Sequence, residues 1–491
     1  MENIEHVVVV MMENRSFDNL LGWLYADVNN QPPINIPEQS PTTFEGLSID
    51  GFFNLDHDGR KYFACRPTTS WLSSKNPNTV PSPDPHEEFD FITEQIFGMA
   101  SPTPDIKPTM CGFLKNYATT AAGGQSAAQI MQTYGPDQAN VINDLARNFA
   151  VCDGWFASVP SQTWPNRGFV HTGSSDGHVN NDNYQLYDIE TIFNVLQKQG
   201  KSWNIFHNST LIPSLTYGQF LPRLALLNNH FYHYDEFKAR CAAASNAAPN
   251  QKLPSYSFVE PRFVPEMEPL HTEISYPNDY HPPHNICRGE QFLADVYEAV
   301  RTSPYRDKIL LVITFDEHGG CYDHVAPPSG AAAPEPGPIS RDGRFKFDRF
   351  GVRVPAIVIS SYIKPGTVFR AEAGKTPYDH TSILATLRDW LKLDPFLPSP
   401  RIKAAPTLDK VLTLSEKDKR DWPQITAQCT IGDDDESTDI KLSSVQKSLI
   451  ATAIRKEQGQ HADTVQQQAE TEQQLQGIET YQHALDFQQE V

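Results

Sequence analysis

Two seven-residue apolar runs, HVVVVMM at residues 6–12 and ILLVITF at residues 309–315, lead straight into oxygen-bearing side chains. The first is followed by Glu13 and Asn14, the second by Asp316 and Glu317. Apolar runs with so little alternation suit strands covered on both faces, as in a parallel sheet. Shorter runs of the same kind lie at 148–152, 203–206, 256–259 and 355–360. Helical spacing fills the intervals at 17–25, 187–199, 289–301 and 381–391; in the second of these Ile189, Ile192, Phe193 and Leu196 share a face. Strand and helix alternating over this length predict an α/β fold with a central, mostly parallel sheet flanked by helices. In such sheets ligands gather at the carboxyl ends of the strands.

The chain has 491 residues, 39% of them hydrophobic, which supplies a large core and excludes a disordered chain. That length fits one large domain or two. A formal net charge of −20 argues against nonspecific binding along nucleic-acid phosphates. No apolar run reaches the roughly 18 residues of a spanning helix. The apolar stretch from Val7 to Met12 follows Glu2 and Glu5, and is too short and wrongly charged for a secretory signal. The expectation is a cytoplasmic protein, or one exported without a cleaved leader. Cys65, Cys111, Cys152, Cys241, Cys287, Cys321 and Cys429 are scattered, odd in number and without a CxxC pair. They support neither a disulfide framework nor a cysteine zinc site.

Prolines gather in long connections at 31–43, 66–85 and 326–339, loops of the kind that wall a site. The chain divides by composition into a body, residues 1–430, and a tail, residues 431–491. The tail opens with an acidic hinge, Asp433, Asp434, Asp435 and Glu436. Beyond Lys441 it is rich in Gln, Ala and Glu, with Leu475, Ile478, Tyr481 and Leu485 on one predicted helical face. One apolar stripe on a helix predicts packing on its own domain, self-association into a homo-oligomer, or a lid over a site. As a lid or oligomer contact, its deletion from about Lys441 would change mass in solution and raise activity.

No GxSxG elbow, HExxH helix, GxxxxGK[ST] loop or GxGxxG turn after a strand occurs. The two strand tips carry the signal instead. Adjacent carboxylates at the end of an apolar strand are costly without a cation or donors to meet them. Glu13 with Asn14, and Asp316 with Glu317, would together enclose one divalent ion, and Gly319-Gly320 lets the backbone turn closely around it. The ordinary alternative for the first tip is a helix start capped by Asn14 or Ser16.

A third segment, SVPSQTWPNR at 158–167, supplies hydroxyls that a neighbouring cation would activate. Thr163, Ser158 and Ser161 compete for that role, and spacing does not choose among them. Asn166 and Arg167 just downstream suit a phosphoryl group, whose oxygens accept several hydrogen bonds. Histidines form the fourth element: His281 and His284 are stiffened by two intervening prolines, His86 follows Asp84-Pro85, and His230 and His233 flank aromatics. Any of these could bind phosphate or protonate a leaving alkoxide. His318 and His324 adjoin the proposed carboxylates, and His380 could cap the helix that follows it.

Together these segments resemble the phosphoesterase family of bacterial phospholipases C and AcpA-type acid phosphatases. The resemblance rests on HVVVVMMENRSFDNLLG from residue 6, SVPSQTWPNR with the GSSDG that follows, DYHPPHNICRGE from residue 279, and TFDEHGGCYDHVAPP from residue 314. It implies an alkaline phosphatase-like fold for residues 1–430. It also implies Glu13, Asn14, Thr163, Asp316 and Glu317 as metal ligands and Thr163 as nucleophile. His281 would lie near the phosphoryl group, and His86 and His233 match more loosely as catalytic histidines. Asn166, Arg167 and His284 would bind the substrate phosphate. The implied reaction is a double displacement through phosphothreonine. The resemblance favours zinc, whereas the oxygen ligands equally suit calcium, magnesium or manganese.

Within this resemblance the substrate is a phosphodiester such as the phosphatidylcholine head group, or, alternatively, a range of phosphomonoesters. Trp71, Trp155, Trp164, Tyr232 and Tyr234 could cage a choline ammonium. Net negative charge favours zwitterionic lipid or soluble diesters over anionic leaflets. A reading of another class is an inactive phosphoesterase fold assembled by its tail; retention of Glu13, Asn14, Thr163, Asp316 and Glu317 argues against it. A sulfatase would need a maturing Cys or Ser in a Pro/Arg context that Cys152 lacks.

Overall fold

Nine strands form one sheet in the computed structural model, which describes residues 1–26, 31–40, 42–49, 51–67, 77–120, 126–181, 186–267, 273–432, 437–458 and 465–490. In chain order they are β1 (His6–Met12), β2 (Ile34–Ile36), β3 (Ala150–Cys152), β4 (Trp203–His207), β5 (Phe231–His233), β6 (Tyr256–Glu260), β7 (Ile309–Phe315), β8 (Ala356–Ile359) and β9 (Thr367–Phe369). Their spatial order is β2-β9-β3-β8-β7-β1-β6-β4-β5. All pairings are parallel except those of β8, which runs antiparallel to both β7 and β3. The sheet is therefore mostly parallel, as expected. The exception is the run at 355–360, whose apolar sequence fits a doubly covered strand of either direction.

Every residue of β1 and β7 is buried. Each fully buried Val, Leu or Ile there is worth about 1.5–3 kcal/mol of apolar burial. The two strands pair in register from His6↔Ile309 to Met12↔Phe315. That register delivers Glu13 and Asp316 side by side at one edge of the sheet.

The helices that matter to the site are α1 (Phe17–Leu21), α2 (Phe89–Phe97), α3 (Thr163–Thr172), α4 (Ile192–Lys198), α5 (Ile286–Arg301) and α6 (Thr381–Leu391). Ser16 caps α1, accepting from Asn19 N, and that helix ends at Leu21 rather than residue 25. α4 begins only after Thr191, whose capping box with Asn194 fixes the start later than periodicity predicts. β2, β5 and β9 have three residues each, too few to show a period.

The tail forms α7 (Ser444–Glu457), α8 (Val465–Leu475) and α9 (Tyr481–Glu490). The expected continuous stripe is broken: α8 ends at Leu475, Gly477 takes φ +97°, and α9 restarts at Tyr481. Leu449, Ile450, Leu475, Tyr481 and Ala484 are buried in the same hydrophobic core as β1 and β7. Asp433 to Glu436 and Trp71 lie outside the described residues. Contrary to the cysteine reading, a disulfide joins Cys287 on α5 to Cys429. Partners 142 residues apart leave no spacing signal.

Candidate phosphoesterase active site

The backbone leaves β1 through Glu13, whose N–H donates to Asp279 O at 2.8 Å, and turns at Asn14 with φ +58°. Asn is among the few side chains that tolerate this left-handed conformation. The turn lets Asn14 N donate to Asp316 Oδ1 (3.2 Å) and Asn14 Nδ2 to Glu87 Oε1 (2.7 Å). Gly319, at φ +61°, passes so close that a Cβ would stand 2.2 Å from Asn14 O, so glycine is required there.

Thr163 opens α3 and is fully buried. Its hydroxyl donates to Asn14 Oδ1 at 3.4 Å and also lies within hydrogen-bonding reach of the Asp316 carboxyl. The first position of a helix places it at the positive end of the helix dipole. Its rivals are committed elsewhere: Ser158 Oγ donates to Asp379 Oδ2 at 2.9 Å, and Ser161 Oγ donates to Val179 O. One turn along α3, Arg167 sends Nε to Asp316 Oδ2 (3.4 Å) and Nη2 to Glu13 Oε1 (3.2 Å) and Met11 O (3.3 Å).

Glu13, Asn14, Thr163 and Asp316 are thus linked through Asn14 and Arg167, Glu317 follows Asp316 in the chain, and all five are buried. Burial pushes the carboxyls of Glu13, Asp316 and Glu317 above the usual range; Arg167 opposes this at Glu13 and Asp316, and Asp316 adds to it at Glu317. Glu317 Oε2 accepts from Gly319 N at 2.7 Å, while Oε1 is buried with no hydrogen-bond partner among the described residues. Carboxylates, an amide oxygen and a hydroxyl form an all-oxygen donor set that fits a hard divalent cation.

The phosphate-binding set is corrected in two places. Asn166 spends its side chain bracing the preceding loop, donating to Val159 O, Ser161 O and Gln162 O and accepting from Val159 N. His284 has both ring nitrogens engaged: Nδ1 with Asp279 Oδ1 at 2.6 Å and Nε2 with the Tyr481 hydroxyl at 2.5 Å. Arg167 keeps a free donor, since Nη1 has no hydrogen-bond partner among the described residues.

The other histidines separate by position. His281 is buried against Glu87, with Nε2 3.5 Å from Glu87 Oε1, and burial lowers its pKa to about 4. His86 stands at the rim, part-exposed and stacked on Phe91 at 4.0 Å. Its carbonyl accepts from Gln95 Nε2, and Gln95 Oε1 pairs with His318 Nε2 at 2.8 Å. The structure does not bring His233 to the cluster. It ends edge strand β5, caps the helix behind it by accepting from Asp235 N, and lies three strands, about 14 Å, from β1. His380 is the N-cap residue of α6 but makes no side-chain cap bond: its Nε2 donates to Asp316 O at 2.6 Å and Nδ1 accepts from Trp155 Nε1 at 3.3 Å.

His324 belongs to a separate ion-pair network with Asp18, Asp323, Glu45 and the buried Arg353. Burial pulls its pKa down, but the Asp18 carboxylate outweighs this and raises it to about 9. Among the described residues the proposed choline cage does not form; Trp71 lies outside them. Trp155, Trp164 and Tyr234 are core residues, and Arg240 covers Tyr232 at 4.8 Å.

Four residues at the site went unread in the sequence: Asp84, Glu87, Asp279 and Tyr481. The acids flanking His86 in Asp84-Pro85-His86-Glu87, and Asp279 two residues before His281, were the available signals. Helical spacing marks Tyr481 only as part of the tail stripe.

Residues 4–394 match the profile of the Phosphoesterase family. Non-specific phospholipase C3 of Arabidopsis thaliana is 33% identical over 484 residues, 91% of this chain and 82% of its own. Non-specific phospholipase C4 of the same plant is 36% identical, covering 86% of this chain and 74% of its own. Phospholipase C B of Mycobacterium tuberculosis is 24% identical, over 79% of this chain and 73% of its own. Among solved structures, an alkaline phosphatase superfamily protein from Vibrio parahaemolyticus aligns at 12% identity and a TM-score of 0.33, over 56% of this chain and 64% of that one. No helix among the described residues is long and apolar enough to cross a membrane. With nearly its whole length matched and the acid, amide and hydroxyl oxygens of its strand tips drawn together, the chain belongs to the phosphoesterase family and is a hydrolase of phosphoester bonds.

Proposed function

We propose that the protein is a metal-dependent phosphodiesterase of the phospholipase C type, cleaving zwitterionic phosphodiesters such as the phosphatidylcholine head group through a phosphothreonine on Thr163. One observation carries this reading: the buried Thr163 hydroxyl, at a helix start, within 3.4 Å of Asn14 Oδ1 and in reach of Asp316. The relatives named as phospholipases C support the diester.

Glu13, Asn14, Thr163, Asp316 and Glu317 would hold the cation. When bound it would lower the pKa of the hydroxyl and offset phosphoryl charge. The oxygen donors favour manganese, magnesium or calcium over zinc; His380 Nε2 is held by the Asp316 carbonyl, and His318 pairs Nε2 with Gln95 while its Nδ1 lies 3.3 Å from Glu317 Oε2.

Thr163 Oγ1 gives its proton to Asp316 and attacks phosphorus, forming the O–P bond as the P–O bond to the diacylglycerol alcohol breaks. Arg167 Nη1 donates to the transferring phosphoryl oxygens. The leaving oxygen takes its proton from water at the rim, relayed by His86; His281 is a poor donor because its Nδ1 proton is held by Pro282 O at 2.5 Å. Water then attacks phosphorus, releasing phosphocholine and restoring the Thr163 hydroxyl.

The tail acts here as a fixed wall. Gln446 and Gln488 donate to Phe263 O and Pro265 O, and Tyr481 braces His284. Removing it is therefore expected to lower activity, opposite to the expectation for a detachable lid.

Cleavage of p-nitrophenyl phosphorylcholine and p-nitrophenyl phosphate, with and without chelator, tests the function. Chelator-sensitive preference for the diester is expected. Preference for the monoester would make it a phosphatase, and no cleavage of either would favour an inactive fold.

A further inference from the structure

Beside the five oxygen ligands lies a second group that the family comparison does not assign. Asp84, Glu87 and His281 bring one ligand atom each to within 4.8 Å of one another. Asp84 and Glu87 come from the proline-rich loop before α2, and His281 from the turn before α5. We propose that these three side chains hold a second divalent cation, of a kind that accepts imidazole together with carboxylate, such as manganese or zinc. The proposal builds on the cation reading of the first site, which it touches through the Asn14–Glu87 hydrogen bond.

The tautomer of His281 carries the inference. Its Nδ1 lies 2.5 Å from Pro282 O, and a carbonyl only accepts, so the ring proton sits on Nδ1. Nε2 then presents a bare lone pair. That lone pair is buried, has no hydrogen-bond partner among the described residues, and faces the Glu87 carboxylate at 3.5 Å. A lone pair set against a carboxylate is repulsive unless a proton or a metal cation lies between them, and the metal test below separates the two. The Pro282 carbonyl plays the part that an outer partner plays for a metal-bound histidine, fixing tautomer and ring direction.

Asp84 Oδ1, buried without a hydrogen-bond partner among the described residues, lies 3.7 Å from His281 Nδ1, on the edge of the ring beside the one that faces Glu87. Charge counting points the same way. Glu13, Asp84, Glu87, Asp279, Asp316 and Glu317 crowd this end of the sheet, whereas the guanidinium groups among them are Arg15 and Arg167. One divalent ion leaves an excess of negative charge that a second removes.

The test is metal stoichiometry on the full chain. Protein stripped with chelator is titrated with Mn²⁺, bound metal is measured by equilibrium dialysis and electron paramagnetic resonance, and folding is checked by circular dichroism. Wild type is expected to bind two ions per chain with a spin-coupled signal. Asp84→Asn, at a residue with no hydrogen bond to a first-site ligand among the described residues, is expected to bind one ion and lose the coupling. His281→Gln is expected to do the same. Glu317→Gln is expected to weaken the other ion selectively. One ion in wild type, or two ions in both Asp84→Asn and His281→Gln, would overturn the proposal and make His281 an imidazolium paired with the two acids. Cleavage of p-nitrophenyl phosphorylcholine is followed in the same samples. Activity with one ion bound sinks the second site alone, whereas two ions without cleavage sink the proposed function alone.

Discussion

Tyr481, in the last helix of the chain, places its hydroxyl 2.5 Å from Nε2 of His284, 197 residues earlier. The other nitrogen of that ring is held by Asp279, whose backbone carbonyl accepts from Glu13 N. A short line of hydrogen bonds therefore links the tail to the first carboxylate of the site. Replacing Tyr481 by Phe leaves a buried imidazole nitrogen unpaired, a loss of about 1–3 kcal/mol. We expect Tyr481→Phe to lower kcat on the choline diester about tenfold with little change in KM. An unchanged kcat would show the contact to be structural only.

Thr163→Ala should reduce turnover by at least about a thousandfold, since the attacking oxygen is gone. Thr163→Ser keeps that oxygen and should retain measurable activity. Acid-quench trapping of labelled phosphate on the chain should succeed with wild type and fail with Thr163→Ala. Near-normal turnover in the alanine variant would remove Thr163 as nucleophile.

Arg167 is fully buried between Glu13 and Asp316. Arg167→Met strips the countercharge from two buried carboxylates, and breaking such a pair costs about 3–5 kcal/mol. Without added metal the variant should unfold at markedly lower denaturant than wild type. Adding Mn²⁺ should recover part of the difference, because a cation replaces the lost charge. Equal midpoints in the absence of metal would contradict this.

His324 gives a pH dependence remote from catalysis. Its folded pKa of about 9 lies above the ordinary value of about 6.5, so the imidazolium paired with Asp18 stabilises the fold. That contribution is complete below about pH 6.5 and is lost as pH rises through about 9, at most about 3.5 kcal/mol. Unfolding free energy should fall between pH 7 and 10, and His324→Gln should flatten that slope. A slope unchanged in the variant would assign it to other groups.

Gly319→Ala introduces a Cβ 2.2 Å from Asn14 O, at a φ that disfavours any side chain. The variant should bind the first-site cation more weakly, read as a higher Mn²⁺ concentration for half-maximal activity. Unaltered metal dependence would mean that the Asn14 turn tolerates displacement.

Much of this site was legible before any folding was considered. HVVVVMM and ILLVITF are locally sufficient for buried strands, and whatever follows a strand must emerge at its tip. Glu13, Asn14, Asp316 and Glu317 were therefore readable as a group. The sheet order then made β1 and β7 neighbours, which no local pattern specifies.

Tertiary structure decided the rest. Among Ser158, Ser161 and Thr163, sequence offers three hydroxyls in one segment, and only the distance to Asn14, 149 residues away, distinguishes Thr163. Asn166 looked free for phosphate until the loop it braces was folded around it. His233 and His86 were alike as loosely matched histidines, but a strand order that carries β5 to the edge of the sheet separates the first from the strand tips, and the second stands at the rim. Glu87, Asp84 and Tyr481 gain meaning only from partners brought across the chain. Strand and helix formation follow from side-chain period, a property of neighbours in sequence. Hydrogen-bond partnership and burial of charge follow from neighbours in space, which the packing of the whole core selects.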